Sequence, residues 1–330
     1  MKLKGLAVTV VILAVLSAVA FWASRTPPAA ADDPRVGRPL GDPTAIEKAA
    51  RIRLSDQGKT IVLTRAPDGS WRDTSYFDLP ADFSKLAGFA GDLVTARIQR
   101  LVTTNPDRIS RLEFKDTHIE FLDAAGRPLW SVTLGKSPES GGGRFVRFDG
   151  EDKAYLANLS AWIDTDPKSW ANAQLLDLKP DDIAKVEVGF GPGGPVAVAR
   201  AKKDAPWTAG GAPAGRPVNA DTISSLLASL GALRFSDTSD PADPAAVAAQ
   251  RHLRTVELTS FNGETTTIAM GRKPEEKKPA VPAGPVYVFI TSSEANAPIN
   301  ALMQKRAFQV DEYIIAGLPQ KPDDLFEPAK

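Results

Sequence analysis

The chain contains no cysteine and only two histidines, His118 and His252, in 330 residues. The first absence excludes disulfides, thiolate nucleophiles and Cys-ligated zinc, but chooses no compartment. The second leaves any histidine-based metal centre or general base to two residues far apart in sequence. Each stands near the start of an expected strand, and neither has the acidic or histidine spacing of a zinc motif. Net charge is also lacking, because 40 Lys plus Arg balance 40 Asp plus Glu. No global field then steers the chain to phosphate backbones, and nucleic acid is not an expected partner.

Catalytic signatures are equally scarce. There is no G-x-S-x-G elbow, and the serines have no triad context. The glycine-rich stretches Gly141–Gly143 and Gly191–Pro195 join strand to strand. A phosphate cradle instead needs a following helix and a Lys-Ser/Thr pair. The acidic pairs Asp32-Asp33, Asp181-Asp182 and Asp323-Asp324 lack the alternate spacing of a calcium loop. They read as turn, helix-start and tail residues. No catalytic, cofactor or metal-binding residue is expected, and the chain is not expected to be an enzyme.

What is present begins with an apolar run from Gly5 to Ala23, preceded by Lys2 and Lys4. Nineteen helical residues span about 28 Å, close to the ~30 Å hydrocarbon core of a bilayer. Residues 1–25 are therefore expected to be a transmembrane anchor with the N-terminus inside, and Phe21-Trp22 resemble an interfacial belt. A cleaved signal peptide is the other reading, with small residues at Ala18-Val19-Ala20. Both send the rest of the chain across the membrane: single-pass in a bacterial inner membrane with its bulk in the periplasm, or periplasmic or secreted after cleavage. Residues 26–43 read as a linker.

The second feature is a repeat. Residues 50–71 and 184–207 each give an alternating strand, a Gly-containing turn, another alternating strand and a Trp. Ala50 and Ala184 lie 134 residues apart, and Trp71 and Trp207 lie 136 apart. A helix follows each Trp. One runs over about Asp82–Val94 with a stripe of Phe83, Leu86, Ala90, Leu93 and Val94, and Pro80 at its start. The other carries Ile223, Leu226, Leu227, Leu230 and Leu233 behind an Asn219 N-cap. Further strands are expected at 97–103, 118–123, 128–134, 145–148 and 153–157, and correspondingly at 233–238, 255–260, 265–270 and 286–291. Both copies close a hairpin with Gly plus a basic residue, Gly135-Lys136 and Gly271-Arg272. The expected class is α+β: two similar modules, 44–180 and 181–318, each an antiparallel curved sheet wrapped on one main helix. Residues 319–330 are expected to be a flexible tail.

Candidate contact residues are few. Arg97, Arg100 and Arg108, with Arg111, form the best basic feature and offer a patch for a partner or for lipid headgroups. Asp107, Glu113 and Asp116 beside them also fit a plain solvated face. Trp71 and Trp207, at matched positions, read as core. Trp162 and Trp170 stand as stacking platforms for a glycan or small molecule.

Several segments together resemble the bacterial family known as domain of unknown function 4340, over residues 44 to 318. They are the Arg51–Trp71 hairpin, Pro80-Ala81-Asp82, Asn105-Pro106-Asp107-Arg108, the stretch from Trp170 to Leu178, Asp181–Val186, and Ala301–Phe308. The resemblance implies a membrane-anchored extracytoplasmic protein associated with an ABC transport system of the gliding-motility type, and it carries no catalytic residues. On that basis the chain is expected to be a non-enzymatic accessory or binding protein, with ABC membrane subunits as partner. An envelope-glycan or small-molecule binding module and a carboxylate-based hydrolase are the alternatives.

Overall fold

A computed structural model describes residues 33–160, 162–210, 216–274 and 284–328. The expected anchor at Gly5–Ala23 and Asp32 lie outside the described residues. Among the described residues, no helix is long and apolar enough to cross a membrane. The chain divides into two compact units, with the boundary between Asn172 and Ala173.

The first unit runs through α1 (Pro43–Lys48), β1 (Arg51–Asp56), β2 (Lys59–Arg65), β3 (Trp71–Asp73), β4 (Leu79–Pro80) and α2 (Phe83–Thr95). It continues with β5 (Ile98–Thr103), α3 (Pro106–Ser110), β6 (Thr117–Leu122), β7 (Pro128–Leu134), β8 (Arg144–Phe148) and β9 (Ala154–Ala157). Period-two alternation builds its core. Ile52 of β1 lies opposite Leu63 of β2 and Phe121 of β6, and Leu54 opposite Ile61 and Ile119, so one face of three strands is continuously apolar. Helix α2 lays Leu86, Phe89 and Leu93 on that layer. Its interior Gly88 and Gly91 cost about 1 kcal/mol each relative to Ala. Burial of the three large side chains, at about 1.5–3 kcal/mol each, outweighs that cost.

The helix starts differently from the sequence expectation. Asp82 is the N-cap, its carboxylate accepting the Lys85 N–H, while Pro80 belongs to β4. Phe83, expected in the buried stripe, is 67 % exposed, and Phe89 takes the inward position. The two are six residues apart, about 600° of helical rotation, so they point to different faces, and only Phe89 shares the inward face of Leu86 and Leu93.

The second unit contains β10 (Ile183–Gly189), β11 (Pro195–Ala199), β12 (Thr208–Ala209), α4 (Ala220–Gly231), β13 (Asp237–Ser239) and α5 (Pro244–Ala249). It ends with β14 (Arg254–Ser260), β15 (Thr265–Gly271), β16 (Val286–Ser292), α6 (Pro298–Lys305), β17 (Ala307–Val310) and α7 (Glu312–Ala316). Asn219 caps α4 by accepting the N–H groups of Asp221 and Thr222, and the stripe from Ile223 to Leu233 is buried throughout.

All strand pairings are antiparallel, and both sheets are open. Their orders are β4-β3-β2-β1-β6-β7-β8-β9-β5 and β12-β11-β10-β14-β15-β16-β17-β13. The expected curved sheet wrapped around one helix is therefore corrected: the sheets neither curl nor close, and helices flank them. The terminal strands cannot support closure. β4 and β12 have two residues each and β13 three, too few for another ladder. The far edge of β5 is already occupied where Pro39 bridges Arg97 and the Gly37 N–H donates to the Ile98 carbonyl (2.7 Å).

Two segments read as loose are packed. Within the expected linker, Leu40 is 2 % exposed, and Lys153 Nζ donates to Asp33 Oδ2 at 2.9 Å. The Arg35 guanidinium pairs with Glu151 and lies 4.0 Å over the Phe148 ring. In the expected tail, Leu325 and Phe326 are buried, the Asn219 N–H donates to the Leu325 carbonyl (2.9 Å), and Arg216 pairs with Asp323 (2.9 Å). Apolar residues between prolines anchor both segments, a signal too short to show as periodicity.

The repeated Gly-basic pairs have a steric cause. A Cβ on Gly135 would lie 2.4 Å from the Leu112 carbonyl oxygen, and one on Gly271 would lie 2.2 Å from that of Ala249. In each unit the backbone at or just after the end of a short helix, α3 or α5, passes against the end of the hairpin, and only glycine fits. The basic residues then pair with Glu113 (Lys136, 3.5 Å) and Glu312 (Arg272, 2.9 Å). Gly271→Ala is expected to destabilise the protein by about 1–2 kcal/mol through overpacking. Chemical denaturation checks this, and an unchanged midpoint would refute the steric account.

Candidate functional site

Two adjoining depressions mark the first unit, and both are lined by Arg144 and Trp162. The larger, about 630 Å³, is walled by Gly141–Gly143, Ser137, Asn158, Leu159 and Ser160. The smaller, about 260 Å³, is lined by Asp56, Glu113 and Asp116 together with Lys115 and Lys136. Trp162 is 76 % exposed, a large ring surface left to solvent between two concavities.

Local structure explains the placement. Arg144 opens β8 opposite Ala157 of β9. The preceding Gly143 has φ 149°, and a Cβ there would meet the Ala157 carbonyl oxygen at 2.2 Å. The last glycine of the run that joins strand to strand is thus needed where β8 begins against the end of β9. Arg144 Nε donates to the Gly135 carbonyl at 2.9 Å. Burial pushes its guanidinium down from the ordinary arginine value, opposed by the charge of Asp56. The same Asp56 accepts a hydrogen bond from Thr117 Oγ1 at 2.5 Å. Asn158 Oδ1 accepts the Arg97 N–H, and its own N–H donates to the Arg97 carbonyl (3.1 Å).

The residues singled out in the sequence separate. Trp170 is 1 % exposed and so cannot be a stacking platform. Its Nε1–H donates to the Asp164 carbonyl (2.8 Å), and its ring meets Phe89 edge-on with centroids 5.7 Å apart. Arg97 serves its own helix: Nη1 donates to the carbonyls of Val94 (2.5 Å) and Thr95 (3.0 Å), groups that the end of α2 leaves unpaired. Arg100 on β5 and Arg108 on α3 are exposed, and none of the three arginines lines either depression. Trp71 packs half-buried on the core, and Trp207 lies against Arg200, 4.7 Å from the ring centre.

Arg144 and Asn158 were missed in the sequence. The available signal was an arginine directly after a glycine run at a strand start, eighteen residues before an unmatched Trp.

Other polar groups are engaged structurally. Lys85 Nζ donates to Asp164 Oδ2 (2.6 Å) and Ser169 Oγ (2.8 Å), and Ser169 Oγ in turn donates to Asp164 (2.6 Å). This resembles a Ser-Lys dyad, but the ammonium is paired with a carboxylate and has no lone pair to act as base. Burial raises the Asp164 carboxyl, and the hydrogen bonds from Lys85 and Ser169 more than reverse it, leaving it below the usual range. His118 pairs with Asp149 (2.9 Å). Among the described residues, no group of three or more His, Cys, Asp or Glu side chains could hold a metal ion.

Residues 71–252 match the family described as a domain of unknown function, DUF4340. The chain belongs to the DUF4340 family. No curated protein and no solved structure matches it. The DUF4340 span runs from β3 of the first unit through α5 of the second, so Arg144, Asn158 and Trp162 all fall inside it.

Proposed function

We propose that this DUF4340 protein is a non-enzymatic binding protein that works outside the cytoplasm at a membrane, contacting its ligand through the surface around Trp162 and Arg144. The observation that carries this is the exposed indole between two depressions, beside a half-buried guanidinium. An aromatic ring and a few convergent polar groups at a concavity are the usual composition of a binding site. Attachment to the membrane is supported by the apolar run Gly5–Ala23 behind Lys2 and Lys4. Service as an accessory to a gliding-type ABC transporter is supported by the family resemblance. Origin by internal duplication is supported by the 134- and 136-residue offsets and by the parallel succession of strands in the two sheet orders.

Crosslinking the full-length protein in cells, extracting with detergent and identifying what accompanies it tests the transporter association. Membrane subunits of an ABC transporter are expected at near-equal amounts. Recovery of this chain alone would overturn that association.

A further inference from the structure

We infer that the larger depression binds an acidic sugar, Arg144 holding the carboxylate and Trp162 stacking on the ring. This rests on reading the Trp162 surface as ligand-contacting, and adds the chemical class of the ligand.

Charge is the first ground. Arg144 is the only ionisable side chain among the described residues lining the larger depression. In the smaller one, Asp56, Glu113 and Asp116 offset Lys115 and Lys136. The described lining of the larger depression is therefore cationic and free of carboxylates, although Asp56 acts on Arg144 from the adjoining depression.

Donors are the second ground. Among the described residues, Nε is the one guanidinium nitrogen of Arg144 that is hydrogen-bonded, so both Nη groups face a ligand without a partner there. A planar fork of that kind matches a carboxylate in bidentate fashion. Asn158 uses its Oδ1 on the Arg97 N–H and keeps its amide hydrogens. The hydroxyls of Ser137 and Ser160 add short donors and acceptors suited to sugar hydroxyls.

The apolar lining is the third ground. Among the described residues it consists of Trp162 and the buried Leu159. A hydrocarbon or aromatic ligand needs apolar walls on several sides. A pyranose presents one flat C–H face and polar edges, and a single exposed indole satisfies it. The volume of about 630 Å³ falls within the ~300–1,000 Å³ of ligand sites and admits a short oligosaccharide.

The test is calorimetric titration of the full-length protein in detergent with trigalacturonic acid, its fully methyl-esterified form, and an acetylated tripeptide with a free C-terminal carboxylate. The acid is expected to bind at least tenfold more tightly than the ester, which keeps the rings and loses the charge. Arg144→Gln is expected to reduce affinity for the acid about tenfold and leave the ester unchanged. Trp162→Ala, at an exposed position that does not support the core, is expected to abolish both while the melting temperature holds. Equal binding of acid and ester, binding of the peptide in preference to the sugars, or binding of no sugar would each overturn the assignment. If sugars fail but Trp162→Ala loses the crosslinked partner in cells, the ligand class falls and the contact surface stands. If Trp162→Ala changes neither sugar binding nor crosslinking, the surface itself is wrong.

Discussion

Trp170→Ala is expected to cost about 3–5 kcal/mol, the range for truncating a buried aromatic side chain. Three contacts are lost together. The indole fills the core between α2 and the segment after β9, its N–H satisfies the Asp164 carbonyl, and Lys85 Nζ lies 4.5 Å over its ring. Domains are stable by only ~5–15 kcal/mol, so such a loss is a large fraction of the whole. The informative control is Trp162→Ala, eight residues earlier and exposed, where a change within about 0.5 kcal/mol is expected. Chemical denaturation compares the two variants, and hydrogen exchange over residues 83–95 and 154–157 localises the effect. Equal destabilisation by the two substitutions would refute the division into a core and a surface tryptophan.

Asp73→Asn is expected to stabilise the protein at neutral pH. Asp73 is 0 % exposed. Its Oδ1 accepts the N–H groups of Ser75 (2.9 Å) and Tyr76 (3.0 Å), and its Oδ2 has no hydrogen-bond partner among the described residues. Burial pushes the carboxyl up to about 6 despite the two backbone donors, and the charge of Asp166 adds to the rise. The sign follows from proton binding. Between the unfolded value of 3.8 and about 6, the folded state holds more protons than the unfolded one, so stability falls as pH rises through that window. The full span corresponds to about 3 kcal/mol lost above pH 6.

Asparagine keeps an acceptor for both N–H groups and cannot ionise. The variant is therefore expected to match the wild type near pH 4 and exceed it by about 2–3 kcal/mol at pH 7.5. Other titrating groups are common to both proteins and cancel in the difference. Parallel stability profiles from pH 4 to 8 would show that Asp73 ionises normally. The buried acid also organises its turn: Ser75 Oγ accepts the Val62 N–H (2.7 Å), and Phe77 and Asp78 both take positive φ, 55° and 52°.

Local signals read well wherever a residue's environment follows from its neighbours in sequence. The alternation of Ile52 and Leu54, and of Ile61 and Leu63, reported β1 and β2 because a pleated strand half buried in a sheet must alternate. The stripe from Ile223 to Leu233 and the Asn219 cap reported α4 for the corresponding helical reason. The repeated Gly-basic pairs were visible at a fixed offset, although their cause, a crossing backbone, was not.

The sequence alone determined the two main helices and the long strands, the absence of cysteine-based chemistry, and the DUF4340 resemblance, since each depends on residue identity and short-range spacing. The short helices α1, α3, α5 and α7 and the short strands β3, β4 and β12 were not legible in it. Tertiary structure alone decided which tryptophan is core and which is surface, that Asp73 is buried without a full set of partners, and that Arg144 shares a depression with Trp162. It also decided that the sheets stay open, because closure depends on whether distant end strands are long enough and free to pair. These outcomes arise from contacts between segments far apart in the chain, whose burial and geometry no local pattern encodes.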